Sequence, residues 1–390
     1  MKWLNRCVVG IGLASLLSDW SHEIATAVLP VYLAGLGVSA AWLGLIEGTA
    51  DAVSSFAKMG SGYYTDQFQR RKPIAVVGYI ITAFGTAAIG LASQAWHVLL
   101  ARTAAWFGRG IRTPVRKALL AASVEAPAYG RAFGFERMMD TLGAIVGPAT
   151  ALVLLQWTGH RADAVLAITL IPGLAAAAAI ALLVRERART PVAHVSFAAR
   201  LAALPLGFRR FLLGVGVFGI GDFSHTLLIL LAVESLTPSM GAERASLAAT
   251  ALYLFRNVLN AAFAYIAGWL ADRFDKRRIL SAGYALAGVM GLLLALAPLR
   301  LPVFCVIFAL GGIYMAIEES LEDALAAELV DREHHGMGFG TLATVNGIGD
   351  FLSSAAVGFL WMHFGREAAF ACCSVLFFAG SLLVRSRPRE

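Results

Sequence analysis

Two short groups of polar residues stand inside otherwise apolar stretches and could do acid–base chemistry. The first group follows one face of a predicted helix: Asp19, His22, Glu23 and Thr26. The second group repeats the pattern: Asp222, His225 and Thr226. Because imidazole titrates near neutral pH, carboxylate and imidazole groups together can carry protons. The proton-coupling candidates are therefore Asp19, His22, Glu23, Asp222 and His225.

Two other interpretations of these groups stay open. Imidazole and carboxylate are ligands of transition metals, so a metal site could form from Asp19, His22, Asp222 and His225. A buried Asp–His pair can also simply stabilise a helix end. The presence of two matching copies favours a functional role over a purely structural one.

Further polar and ionisable residues lie inside apolar stretches, where charge is costly and usually functional. Arg102, Arg109 and Arg116 recur every seven residues and share one helical stripe. Such residues can hold a polar or anionic small molecule. The substrate-binding candidates are Glu47, Asp51, Lys58, Arg102, Arg109, Arg256, Asn257, Asn260 and Tyr314.

A third set of charges lies where loops meet helix ends. We expect Asp66 to pair with basic residues and the run Lys276–Arg278 with acids, so that these contacts close one end of the molecule. The gating candidates are Asp66, Arg112, Arg116, Glu136, Asp272, Arg273, Glu318 and Glu322. The alternatives are solvated helix ends and a loop sequence that only sets topology.

The elements that must position these residues are long apolar helices. Only 15% of the residues are charged and 58% are hydrophobic, whereas soluble domains carry about 25% charge. This composition excludes soluble and disordered chains. At about 20 residues per span, the chain offers twelve segments: 4–33, 40–62, 74–93, 96–122, 130–156, 163–184, 208–234, 243–270, 279–297, 301–326, 337–362 and 367–384. Since they lack the alternation of a barrel strand, we predict an all-α membrane protein.

Basic residues cluster between alternate segments and at both ends of the chain, and the net charge is +7. The clusters include Lys2, Arg6, Arg70, Arg71, Lys72, Arg131, Arg185, Arg187, Arg189, Arg209, Arg210, Lys276, Arg277, Arg278, Arg385, Arg387 and Arg389. Cytoplasmic loops carry such an excess of Lys and Arg. We therefore expect an integral protein of the inner or plasma membrane, with both termini in the cytoplasm.

The two halves of the sequence repeat each other. G-Y-Y-T-D ending at Asp66 matches G-W-L-A-D ending at Asp272, an offset of 206 residues (272 − 66). The stretch from Lys117 matches the stretch from Asp323 at the same offset. A fixed offset indicates duplication. We predict two six-helix bundles, residues 1–184 and 208–390, joined by a cytoplasmic linker at 185–207.

These motifs resemble those of the major facilitator superfamily of secondary transporters. The loop Gly62–Lys72 is similar to the family's signature loop, although Gln67 and Gln69 depart from its pattern, and Arg273 restores the usual basic residue in the second copy. Gly143–Pro148 resembles the G-x-x-x-G-P motif of antiporters, without the Gly pair that usually follows. The resemblance implies a fold of about twelve helices in two parallel repeats, with a site near the middle of the membrane.

The predicted function is proton-coupled transport of a small polar or ionisable solute by alternating access, with export slightly favoured. The alternative is a carrier of transition metals or metal chelates, such as siderophore-like molecules or organic acids. No complete catalytic constellation occurs in the sequence, so we do not expect an enzyme. No nucleotide loop G-x-x-x-x-G-K-[ST] occurs either, so ATP is not the expected driver of transport. We expect a monomer without cofactors or nucleic-acid partners, surrounded by lipid.

Overall fold

The computed structural model describes residues 3–37, 40–186 and 196–386, and within these ranges it contains helices and no strand. The helices are α1 (Arg6–Gly35), α2 (Ala40–Thr65), α3 (Lys72–Ala88), α4 (Ala95–Ser123), α5 (Tyr129–Trp157), α6 (Ala162–Ile168), α7 (Leu170–Leu183), α8 (Phe197–Ala202), α9 (Leu206–Gly219), α10 (His225–Met240), α11 (Ala242–Ala271), α12 (Lys276–Leu296), α13 (Leu301–Leu329) and α14 (His335–Arg385). Each of the twelve predicted apolar segments falls on one of these helices or on a consecutive pair.

Four of the membrane spans do not correspond to one separate helix each. The sixth span is α6 followed directly by α7, and the seventh is α9 followed by α10. Helix α14 contains both the eleventh and the twelfth spans. Gly365, with a positive φ of 84°, breaks the helix between them. Glycine tolerates this conformation since it has no Cβ. By length and composition, seven helical segments of the described chain could cross a membrane; α2 and α4, which carry many of the candidate charges, are not among them.

The prediction of one helical stripe through Asp222 and His225 is wrong. Helix α9 ends at Gly219, and Asp222 lies in the turn before α10 begins at His225. Ser224 starts the new helix, because its hydroxyl accepts a hydrogen bond from the N–H of Thr226. The matching stripe in the first half is continuous, since α1 runs unbroken through Asp19, His22 and Glu23.

Large apolar side chains cover the outer surface, and aromatic side chains pack tightly in the interior. Large apolar side chains such as Phe56, Leu91 and Trp157 are about four-fifths exposed, as lipid-facing residues are. Inside the second half, the rings of Phe218 and Tyr284 stack with centroids 3.7 Å apart. Tight helix packing of this kind lets the buried polar residues keep fixed positions.

The two halves meet through glycines that obey the internal repeat. Gly62 on α2 contacts Gly336 on α14, and Gly268 on α11 contacts Gly130 on α5. A Cβ at Gly62 would lie 2.4 Å from the Gly336 carbonyl oxygen, and one at Gly268 would lie 2.1 Å from the Gly130 carbonyl oxygen. Only glycine allows backbones to approach this closely. Both contacts lie at the end of the molecule that carries the α2–α3 and α11–α12 loops, called here the loop end.

The segment between the halves is described in part. Helix α8 lies within the predicted linker, and α9 begins two residues before the predicted second bundle. Residues 187–195 of the linker lie outside the described residues, as do the basic residues Lys2, Arg187, Arg189, Arg387 and Arg389. The bundle boundaries at 184 and 208 stay predictions.

Candidate functional site

A cavity of about 310 Å³ lies between the two halves, and its walls differ in charge. The first half contributes six basic and two acidic residues: Lys58, Arg109, Arg112, Arg116, Lys117, Arg137, Glu136 and Asp140. The second half contributes six acidic residues and no basic one: Asp222, Glu318, Glu319, Glu322, Asp323 and Asp350. The cavity therefore has a mainly basic wall and an acidic wall.

The charge difference arises at positions that the repeat makes equivalent. Helix α4 presents Arg112, Arg116 and Lys117, and at the offset of 206 residues α13 presents Glu318, Glu322 and Asp323. Residues three, four or seven apart share a helix face, so each helix turns its charged stripe toward the cavity. Duplication supplied the same helix twice, and the two copies carry opposite charge.

Part of the basic wall is neutralised within the first half. Arg116 forms ion pairs with Glu136 at 2.9 Å and with Asp140 at 3.7 Å. It also donates a hydrogen bond to the hydroxyl of Ser15, 2.7 Å away, and that hydroxyl donates to Glu136. All four residues are buried, so the network is charge-paired and fixed.

Two ion pairs join the basic wall to the acidic wall. Lys117 Nζ lies 2.7 Å from an oxygen of Asp323, and Arg137 Nε lies 2.5 Å from an oxygen of Glu319. The Arg137 contact is an ion pair whose N–H is not aligned for a hydrogen bond. These pairs hold the halves together at the cavity.

The proton-coupling candidates of the first half lie beside basic and aromatic residues. Asp19 forms an ion pair with Arg109, with 3.1 Å between oxygen and nitrogen. His22 lies against the ring of Trp106, with centroids 4.6 Å apart, and its Nδ1 is buried without a hydrogen-bond partner. Glu23 Oε1 is 3.9 Å from His22 Nε2.

Trp106 is a site residue that the sequence analysis missed. Its indole N–H donates to Asp51 at 2.5 Å, and the guanidinium groups of Arg102 and Arg109 lie 4.1 and 5.4 Å from its ring centroid. Arg102 also pairs with Glu47 at 3.1 Å. A tryptophan in an apolar segment is usually a packing residue. Only its position, three residues from Arg109 and four from Arg102, could have indicated cation–π contacts.

The candidates of the second half form contacts of their own. The hydroxyl of Tyr314 donates to Asp222 at 2.9 Å. Arg256 is buried and donates to the sulfur of Met315, while Asn260 donates to Glu319 at 3.5 Å. His225 stacks on Tyr253 with ring centroids 5.1 Å apart.

Only part of the predicted substrate set lines the cavity. Lys58 and Arg109 do, whereas Arg102, Glu47 and Asp51 gather around Trp106. Asn257 is half-buried on α11 and is not among the lining residues. Four lining charges have neither an ion pair nor a side-chain hydrogen bond within the described parts of the chain: Lys58, Arg112, Glu318 and Asp350.

At the loop end, two aspartates cap helices of the opposite half. Asp66 accepts hydrogen bonds from the backbone N–H groups of Gly336 and Met337, at 3.0 and 2.8 Å, and pairs with Arg71 at 2.5 Å. Asp272, its counterpart in the repeat, accepts from the N–H groups of Gly130 and Arg131, at 2.8 and 3.2 Å. A carboxylate at a helix N-terminus is favourable because of the helix dipole.

Lys276 and Arg278 lie beside acids, although these acids are not the gating candidates Glu318 and Glu322. Lys276 pairs with Glu328 at 2.8 Å, and Arg278 approaches Asp275 at 4.0 Å. Arg273 stacks on Trp269, 3.7 Å from its ring centroid. Glu322 instead accepts hydrogen bonds from Tyr284 and from Asn346. The reason is geometric, because the stripes on α4 and α13 point into the cavity and only the helix termini face the loops.

The metal alternative is not assembled in this structure. Within residues 3–37, 40–186 and 196–386, no three His, Cys, Asp or Glu side chains come together as ligands of a metal ion. His22 packs on Trp106, whereas His225 packs on Tyr253. Each histidine is therefore held by an aromatic residue of its own half.

The fold and the cavity define a two-bundle membrane protein with a charged centre. The sequence matches the Major Facilitator Superfamily over residues 11–241 and 211–390. The chain belongs to this family, and it is thus a secondary transporter embedded in the membrane and not an enzyme. The predicted fold class is confirmed.

Relatives and solved structures agree with this assignment. The chain is 26% identical over 381 residues to an uncharacterized MFS-type transporter of Methanocaldococcus jannaschii, covering 98% of this chain and 94% of the relative. It is 25% identical over 315 residues to the multidrug resistance protein MdtH of Salmonella arizonae, covering 78% and 75%. The transporter FucP in its outward conformation has a TM-score of 0.80 at 16% identity, covering 98% and 99%. The human organic anion transporter MFSD10 has a TM-score of 0.79 at 16% identity, covering 97% and 99%.

Proposed function

We propose that this transporter moves a small polar or ionisable solute in a proton-coupled cycle, with export as the favoured direction. The observation that carries the proposal is the cavity of about 310 Å³ whose lining residues are mostly charged. Its volume is at the lower end of the range for small-molecule sites. A lining of this polarity suits a polar solute and opposes a purely apolar one.

The proposed cycle alternates between a state closed at the loop end and a state open there. The closed state is supported by the Asp66 and Asp272 caps and by the ion pairs of Lys117 and Arg137. From the distribution of basic residues we place the loop end and both termini in the cytoplasm. The structure then corresponds to a state in which the cytoplasmic gate is shut.

Coupling of solute movement to proton movement would depend on carboxylates that can lose an ion-pair partner and bind a proton instead. Asp19 is bound to Arg109, which also lines the cavity. An anionic group that binds Arg109 would release Asp19 to take up a proton, so the two would be carried together. A cationic group that binds Asp222 would instead compete with a proton, which is the requirement for exchange.

Two observations support export. Gly143–Pro148 resembles part of the antiporter motif, and several relatives are called multidrug resistance protein MdtH. Exchange of an inward-moving proton for an outward-moving solute fits competition at the acidic wall. The protein acts as a monomer in this proposal, with each chain enclosing its own cavity.

The test uses purified protein in vesicles that contain a pH-sensitive dye. Addition of a transported solute should change the internal pH, and Asp19→Asn or Asp222→Asn should abolish the change. Asp163→Asn, at the partly exposed start of α6, serves as the control. Proton movement that persists unchanged in both Asp19→Asn and Asp222→Asn contradicts the coupling assignment.

A further inference from the structure

The four unpaired charges of the cavity are divided by sign between the halves. Lys58 on α2 and Arg112 on α4 belong to the basic wall, while Glu318 on α13 and Asp350 on α14 belong to the acidic wall. Every other charged lining residue has an ion-pair or hydrogen-bond partner in the described part of the chain. The unpaired set is therefore two cations facing from one half and two anions facing from the other.

Arg112 is the most constrained member of this set. Its side chain is buried, with 3% exposure of the residue, and its guanidinium lies 4.2 Å from the ring centroid of Tyr79. Two of its nitrogen atoms, Nε and Nη1, have no hydrogen-bond partner. A guanidinium that is buried at a cavity wall without a carboxylate is costly unless a ligand supplies the partner.

The acidic wall shows the complementary feature. Glu318 is the repeat counterpart of Arg112, at the offset of 206 residues, and it is half-buried at the cavity without an ion pair. Its neighbours are already occupied, since Glu319 pairs with Arg137, and Glu322 accepts hydrogen bonds from Tyr284 and Asn346. A ligand that approaches this wall thus meets one free carboxylate on α13.

We infer that the substrate is a small zwitterion, with its anionic group at Lys58 and Arg112 and its cationic group at Glu318 and Asp350. The inference rests on the proposed function and names its substrate class. A simple anion would satisfy one wall and leave the other unpaired, and so would a simple cation. A molecule with both charges neutralises both walls at once, and it also links the two halves that must move together.

The test measures thermal unfolding of the purified full-length protein with a panel of small solutes, because a ligand that binds the folded state raises Tm. The panel contains the α-amino acids and the ω-aminocarboxylates from glycine to aminocaproate, with the carboxylate and the amine of each chain length. At least one zwitterion should raise Tm in a concentration-dependent way, while its carboxylate and amine counterparts should not. The chain length with the largest effect reports the separation of the walls.

Two variants locate the site, and matched variants control for a general charge effect. Glu318→Gln should weaken binding of the active zwitterion by about tenfold, since each bond to a charged group contributes this much or more. Lys58→Met should do the same and avoids the folding risk of replacing the buried Arg112. Glu243→Gln and Arg244→Gln, exposed at the start of α11, should leave binding unchanged.

The inference is overturned if no zwitterion of the panel raises Tm, or if a simple carboxylate or amine does so as strongly as its zwitterion. Phosphocholine and phosphoethanolamine, which are zwitterions too, are included, and stabilisation by these alone keeps the zwitterion and identifies its source as lipid headgroups. Proton movement in vesicles separates this inference from the proposed function. If only simple ions drive proton movement, proton coupling is supported and the zwitterion is contradicted. If a zwitterion raises Tm but moves no protons, the zwitterion is supported and proton coupling is contradicted.

Discussion

Arg137 on α5 and Glu319 on α13 form an ion pair across the interface between the two halves, with 2.5 Å between Nε and Oε2. Arg137 also holds Asp140, 3.0 Å away, on its own helix. Each side chain of the cross-interface pair is about one-quarter exposed, so the pair is shielded from bulk water. Because the halves rotate against each other in alternating access, such a pair must break when the cavity opens at the loop end.

Reversing the charge of Arg137 should therefore favour the state that is open at the loop end. Arg137→Glu places an acid opposite Glu319 and beside Asp140, and we expect a population shift of about tenfold, equivalent to about 1.4 kcal/mol. The double variant Arg137→Glu/Glu319→Arg should restore much of the closed population. Distances between spin labels attached to each half at the loop end measure the two populations.

The control for this prediction is an ion pair of the same kind on the surface. Arg161 and Asp163 lie 2.8 Å apart, and Arg161 is 70% exposed. Exposed pairs contribute little to stability, so Arg161→Glu should leave the distances unchanged. Equal shifts from Arg137→Glu and Arg161→Glu would show that the interface pair has no special role.

The two helix-capping aspartates should make similar contributions to closure. Asp66→Asn and Asp272→Asn each keep the side-chain size and remove the charge that faces a helix N-terminus of the other half. Each should increase the open population by about tenfold, because bonds to charged groups contribute about 1.5–3 kcal/mol. Asp163→Asn is the matched control. The prediction fails if label distances in both variants equal those of the unmodified protein.

The glycine contacts at the interface allow a steric test that involves no charge. Gly62→Ala would place a Cβ 2.4 Å from the carbonyl oxygen of Gly336, whereas Gly60 on the same helix has open space around it. Overpacking of this kind costs about 1–3 kcal/mol, here only in the closed state. Gly60→Ala should leave the label distances unchanged, and it should slightly stabilise α2 because alanine favours helices. Identical behaviour of the two variants would rule out the backbone contact as part of the gate.

The sequence predicted the elements well because their signals are local or repeated. Twelve apolar segments gave the spans, and the offset of 206 residues identified Asp66 and Asp272 as counterparts before their contacts were known. Asp66 pairs with a basic residue of its own loop, Arg71. In contrast, the break at Asp222 was missed, because helical spacing assumes a continuous helix and the cap at Ser224 looks like any serine in an apolar run.

Partners between distant segments could not be predicted from spacing. Arg137 and Glu319 are nearly half the chain apart, so their spacing gives no indication of the ion pair. Trp106 carries no charge, and its spacing from Arg102 and Arg109 does not indicate the contacts that it makes with His22 and Asp51. Such contacts depend on how the two bundles pack against each other. An internal repeat predicts that the bundles are related by symmetry, but it does not predict which side chains meet.

Access to the cavity from each side of the membrane tests the central claim most directly. Thr113 lines the cavity, so Thr113→Cys can be labelled with a membrane-impermeant thiol reagent after Cys7, Cys305, Cys372 and Cys373 have been replaced. We predict labelling from the side opposite the loop end, and added labelling from the loop end when Gly62→Ala is introduced. Labelling from the loop end alone, or a pattern that Gly62→Ala does not change, would contradict alternating access with this gate.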